Sequence, residues 1–70
     1  MRELRFDKAI YLGEAVDEAV KALGGHGEFK LVEEDDAWVV QVTAKNAAFE
    51  RRVAGELGNF ALGLTIRSRR

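Results

Sequence analysis

A chain of seventy residues without a cysteine has no covalent staple, so its apolar pattern alone must specify the fold and hold it. A domain this small buries only about 60% of the surface its unfolded chain exposes, which leaves a core worth a few kcal/mol and few idle apolar residues. The expectation is one domain, residues 1–70, with no linker, internal repeat or low-complexity segment. The missing thiols remove any thiolate metal site and fit a reducing, cytoplasmic compartment. Apolar residues make up 47% and charged residues 33%, a globular composition, and a net charge of −1 gives no global attraction to nucleic acid or membrane. The start, Met1-Arg2-Glu3-Leu4-Arg5, is too polar for a signal peptide, and no apolar run approaches the roughly 20 residues that span a bilayer.

Period-2 alternation predicts a first strand over residues 2–7, with Leu4 and Phe6 on one side and Glu3 and Arg5 on the other. Asp7-Lys8-Ala9 turns the chain. Tyr11, Leu12, Ala15, Val16, Ala19, Val20 and Leu23 then recur at the spacing of one helical face, while Glu14, Asp17, Glu18 and Lys21 take the other. Gly24-Gly25 is expected to end this helix through a left-handed glycine. Residues 28–44 read as a hairpin, with Glu33-Glu34-Asp35-Asp36 as its polar tip. Its core-facing set is Phe29, Leu31, Trp38, Val40 and Val42, because the other register would bury Gln41 and Thr43.

The last third carries two patterns. Asn46 is a good helix N-cap, and Phe49, Val53, Leu57, Phe60 and Leu64 follow at helical spacing. Gly55, Gly58 and Gly63 oppose one long helix, each costing about 1 kcal/mol relative to alanine in a helix interior. The rival reading stops the helix at Gly58-Asn59 and lets Phe60, Leu62, Leu64 and Ile66 alternate as a fourth strand, giving the ferredoxin-like order β-α-β-β-α-β. The tail Arg67-Ser68-Arg69-Arg70 is expected to fray.

Reactive side chains are sparse. His26, the single histidine, lies in the glycine loop Gly24-Gly25-His26-Gly27 with no second imidazole or thiol for a metal. That loop follows a helix and opens a strand, the reverse of a phosphate-binding loop. The four carboxylates of Glu33–Asp36 lack the alternating spacing of a calcium loop and read as a solvated tip. Ser68, the one serine, stands far from His26 in sequence, so no nucleophile–base pairing is expected. No catalytic residue, metal ligand or cofactor is therefore expected. Arg51, Arg52, Arg67, Arg69 and Arg70 form the basic component, but acids outnumber bases in the chain and nucleic acid is disfavoured.

Two surfaces carry more information. Helices should cover Leu4, Phe6 and the hairpin's core-facing set. The far face would then carry Glu3, Arg5, Lys30, Val32, Val39, Gln41 and Thr43. Arg5, Lys30, Val32, Val39 and Gln41 form the candidate partner-contact face, because an exposed edge takes an extended peptide through main-chain hydrogen bonds. Gly55, Gly58 and Gly63, with Ala54 and Ala61 beside them, form a candidate close-packing flank. Its first expected occupant is the first helix and its second is another chain.

Leu4-Arg5-Phe6-Asp7-Lys8-Ala9-Ile10-Tyr11, followed by Glu14-Ala15-Val16 and Ala19, resembles the start of the small HxsD-type proteins of His-Xaa-Ser gene systems. Glu56-Leu57, Asn59, Leu62 and Ile66-Arg67 are similar to the C-terminal helix of that family. The resemblance implies an accessory protein that works beside radical-SAM-type maturation enzymes and has no catalytic residues to carry over. Phe6, Asp7 and Tyr11 match its motif and read structurally: Phe6 as core, Tyr11 packed at the helix entry with its hydroxyl toward water, and Asp7 as a cap of the turn or of the first helical amides.

With that resemblance the long-helix reading is preferred. The expected fold is α+β, a three-stranded antiparallel sheet in β-α-β-β-α order with both helices on one face. The expected function is a non-catalytic accessory or interaction module with a protein or peptide partner. A homodimeric structural domain, or weak nucleic-acid binding through the basic second helix and tail, is the alternative.

Overall fold

The computed structural model describes residues 1–68, so Arg69 and Arg70 of the basic tail lie outside the described residues. Five main elements follow in the expected order: β1 (Arg2–Asp7), α1 (Gly13–Ala22), β2 (Glu28–Glu33), β3 (Ala37–Thr43) and α2 (Ala47–Ser68). The sheet is antiparallel in the order β1-β3-β2, so the hydrophobic β3 lies between the other two strands. Leu4 stands opposite Val40 and Phe6 opposite Trp38, while Phe29 faces Val42 and Leu31 faces Val40. This is the register that the alternation demands. The core gathers Phe6, Val40 and Val42 from the sheet, Val16, Ala19 and Leu23 from α1 and its end, and Val53, Leu57 and Ala61 from α2.

Residues 60–66 are helical, and the ferredoxin-like alternative falls with them. The helix survives its glycines because its buried stripe is continuous. Glu50, Val53, Ala54, Leu57, Ala61 and Thr65 recur at spacings of three and four and are all buried. Asn46 caps the start, its Oδ1 accepting the Phe49 N–H at 2.8 Å. The buried stripe is rotated from the expected one toward Ala54 and Ala61. Small residues there, with Ala15 and Ala19 buried on α1, let the two helices pack closely. Phe60 is turned outward as a result.

The connections depart from expectation in two places. Tyr11 and Leu12 precede α1 rather than belong to it. Asp7 closes the turn before them, its Oδ1 accepting the Ala9 N–H at 2.8 Å and its carbonyl accepting from Ile10 and Tyr11. Tyr11 meets Phe6 edge-on, with ring centroids 4.9 Å apart. At the other end, α1 leaves through Leu23 into a 3₁₀ turn, Gly24–His26, and no glycine takes a positive φ. Here the tightened turn replaces the left-handed cap. The glycine that the fold demands is Gly27, where a Cβ would stand 2.8 Å from the Thr43 carbonyl oxygen. Gly13 is constrained likewise, since a Cβ there would meet the Trp38 indole at 2.7 Å.

Candidate interaction surfaces

The acidic tip is a clasp. Asp35 and Asp36 form the two-residue loop, and neither has the positive φ of the mirror-image turns usual for such loops. Neither is a glycine or asparagine, so the chain bends openly and only the Glu34 N–H reaches back, to the Ala37 carbonyl at 2.8 Å. Two cations from the end of β1 hold the carboxylates. Arg5 reaches Glu34 at 2.8 Å and Asp36 at 3.4 Å, and Lys8 reaches Glu33 at 2.7 Å. The hydrogen bond and charge of Glu34 raise the pKa of Arg5. Lys8 also lies 5.3 Å from the centre of the Trp38 ring system. His26 is exposed, and its ring tilts toward Phe49 at 6.4 Å. Among the described residues no group of three or more His, Asp or Glu side chains is placed to hold a metal.

The structure breaks up the candidate partner-contact face. Val39 lies on the far face as expected, yet it is only 3% exposed. It sits on the central strand between Arg5 and Val32. Arg5 stands directly opposite Val39 on the same face, and its salt bridges to the hairpin tip leave its aliphatic stem beside the valine. Lys30, Val32 and Gln41 remain, on the β2 side. Leu31, expected beneath a helix, is 38% exposed, because α2 packs on β1 and β3 and leaves β2 at the rim.

The glycine flank is also not where packing occurs. A Cβ built on Gly55, Gly58 or Gly63 meets nothing within 4 Å, so the first helix does not occupy that flank. The buried side of α2 carries Ala54 and Ala61 instead. Gly55, Gly58, Leu62 and Ile66 share one outward face at spacings of three, four and four. A second outward flank carries Phe60 over a shallow groove of about 180 Å³ lined also by Asn59, Gly63, Leu64 and Arg67. Phe60 is 42% and Ile66 54% exposed. Ile10, in the turn before α1, is exposed at this same end of the molecule, where the Leu12 N–H donates to Thr65 Oγ1 at 3.3 Å. Sequence reasoning missed this bare patch. Its signal was present in Val53-Ala54, Leu57, Ala61 and Thr65, whose spacing already defines a stripe that excludes Phe60.

The opposite end of α2 is polar. Glu50 is buried; its Oε2 accepts the Ala44 N–H at 3.2 Å, and the Met1 amine lies 3.2 Å from its Oε1. The Ala44 hydrogen bond, helped by the amine and Arg2, holds its carboxyl below the usual range, against the opposing effect of burial. Arg51 and Arg52 join Lys45, Asn46, Ala48 and Phe49 around an open groove of about 450 Å³, with Lys45 Nζ 4.7 Å from the centre of the Phe49 ring. Fold and surfaces together define a small α+β domain with one apolar and one cationic end on a single helix. No protein-family model, curated protein or solved structure matches the chain. No helix of the described residues is long and apolar enough to cross a membrane.

Proposed function

We propose that this chain is a non-catalytic interaction module whose protein or peptide partner docks on the distal half of α2. The observation that carries this reading is the exposure of Phe60, Leu62 and Ile66 on a helix segment whose one charged residue, among those described after Gly58, is Arg67. A helix that only shields a core turns charged residues to water. Exposed apolar side chains on a helix mark contact sites in small soluble domains, here Leu62 and Ile66 on one flank and Phe60 on the other. The groove beside Phe60 fits an apolar side chain of the partner, and Arg67 at its rim fits a carboxylate. The resemblance to HxsD-type proteins supports an accessory role and makes a radical-SAM-type maturation enzyme the first partner to test.

The test is a titration of isotope-labelled protein with a radical-SAM-type maturation enzyme from the same organism. Amide shifts over residues 58–66 and at Ile10 are expected, and Ile66→Asp should abolish them. Shifts confined to other surfaces, or none at all, remove the reading.

A further inference from the structure

The phase of the hairpin's hydrogen bonds is fixed by the Glu34 N–H to Ala37 carbonyl bond at 2.8 Å. Bonded and non-bonded pairs alternate in an antiparallel ladder. Val32 with Val39, Lys30 with Gln41 and Glu28 with Thr43 are therefore the bonded pairs, and the backbone groups of Phe29, Leu31 and Glu33 point away from the sheet. The other side of β3 agrees. The Lys8 N–H to Asp36 carbonyl bond, 3.0 Å, sets the phase in which Trp38, Val40 and Val42 bond to β1. Both outer strands thus expose a free edge, but the edges differ. β1 carries Arg2, Glu3, Arg5 and Asp7, with Leu4 and Phe6 turned to the core, whereas β2 carries Glu28, Lys30 and Glu33 beside Phe29, Leu31 and Val32, the last two 38% exposed.

We propose that β2 pairs antiparallel with β2 of a second copy about a two-fold axis at Val32, joining two sheets into one of six strands. Charge selects this register. A two-fold axis at Lys30 sets Phe29 against Leu31, but places Lys30 against Lys30 in the close, non-bonded position. An axis at Leu31 places Glu28 against Glu34 of the second copy, twice. An axis at Val32 sets valine against valine and Lys30 against Glu34 of the second copy, twice, all on the far face. On the helix-covered face Leu31 then meets the stem of Glu33, whose carboxylate Lys8 already holds. Among the described residues Lys30 makes no ion pair within one chain, and Glu34, whose Oε1 is held by Arg5 at 2.8 Å, keeps Oε2 for the lysine of the second copy. α2 packs on β1 and β3, so this dimer leaves the apolar patch of α2 uncovered, and the two surfaces can be tested apart.

The experiment is sedimentation equilibrium over a concentration series up to about 1 mM, the weak end of specific association. The expected result is a mass that rises from the 7.8 kDa monomer toward twice that value. Leu31→Pro deletes an outward N–H and no ladder bond, so the monomer should keep its circular dichroism while dimerisation falls by tenfold or more, roughly. Lys30→Glu should weaken association roughly tenfold by turning two unlike pairs into like ones, and added salt should narrow that difference from wild type. A monomer at every concentration overturns the proposal. So does a dimer indifferent to Leu31→Pro. A dimer that Leu31→Pro breaks but Lys30→Glu leaves unchanged overturns the register.

Discussion

Residues 47–57 and 58–68 are the two halves of one helix, and they treat their outward faces differently. The first half turns Arg51, Arg52 and Glu56 to water and anchors itself at its cap and through Glu50. The second turns out Phe60, Leu62 and Ile66 and is held to the rest of the chain along one narrow side, by Ala61 in the core and Thr65 at Leu12. Both halves bury a stripe at the same spacing, so stability explains their inward faces equally well. It does not explain the apolar outward face of the second half. The predictions below test that division, from the strongest effect to the weakest.

Leu57 stands where the two halves meet and is fully buried. Leu57→Ala should cost about 2–5 kcal/mol, the range for truncating a packed leucine, and in a domain this small that removes most of the stability. Chemical denaturation measures it. A cost below about 1 kcal/mol would mean that α2 is not docked as described.

The glycines sharpen the comparison with the opposite sign. A Cβ at Gly55 or Gly58 enters open space, and both backbones are helical. Gly55→Ala and Gly58→Ala should each stabilise the isolated monomer by about 0.5–1 kcal/mol. Destabilisation by either would show that something within the chain packs on that flank. At the start of the helix, Asn46→Ala should cost about 1 kcal/mol by releasing the Phe49 N–H.

Much of this architecture was legible in the sequence because strands and amphipathic helices repeat locally. The strand at residues 2–7, the hairpin register, the Asn46 cap and the Asp7 turn each follow from a few adjacent residues. What was not legible depends on side chains that meet from distant parts of the chain. Val39 reads as a wet-face residue until Arg5, clipped to Glu34 and Asp36, lies across it. Nothing adjacent to Glu50 marks it as buried; the Ala44 N–H that donates to it comes from outside the helix. The glycine flank reads as a packing surface because small residues allow close approach, yet nothing local says whether anything approaches. The alanines on both helices decided that, by bringing α1 to the other side.

Glu50 gives the first half of α2 a pH dependence that the second half lacks. Its carboxyl is held below the ordinary value in the folded chain, so its contribution is present above the ordinary carboxylate pKa, about 4.3, and lost as the pH falls through the folded value. Wild type should therefore lose more stability than Glu50→Gln between about pH 5 and pH 3. Equal losses would mean that the Ala44 contact does not favour the ionised form.

The weakest expected effect is the one that separates fold from function. Ile66 is 54% and Leu62 38% exposed, so Ile66→Ser should change stability by no more than about 0.5 kcal/mol and Leu62→Ser by no more than about 1 kcal/mol. A chain that needs these side chains to fold would lose several times that amount. Near-neutral stability together with lost partner shifts would place the patch in binding. A large loss of stability would instead mean that Leu62 and Ile66 are covered within the chain, and the difference between the two halves of α2 would disappear.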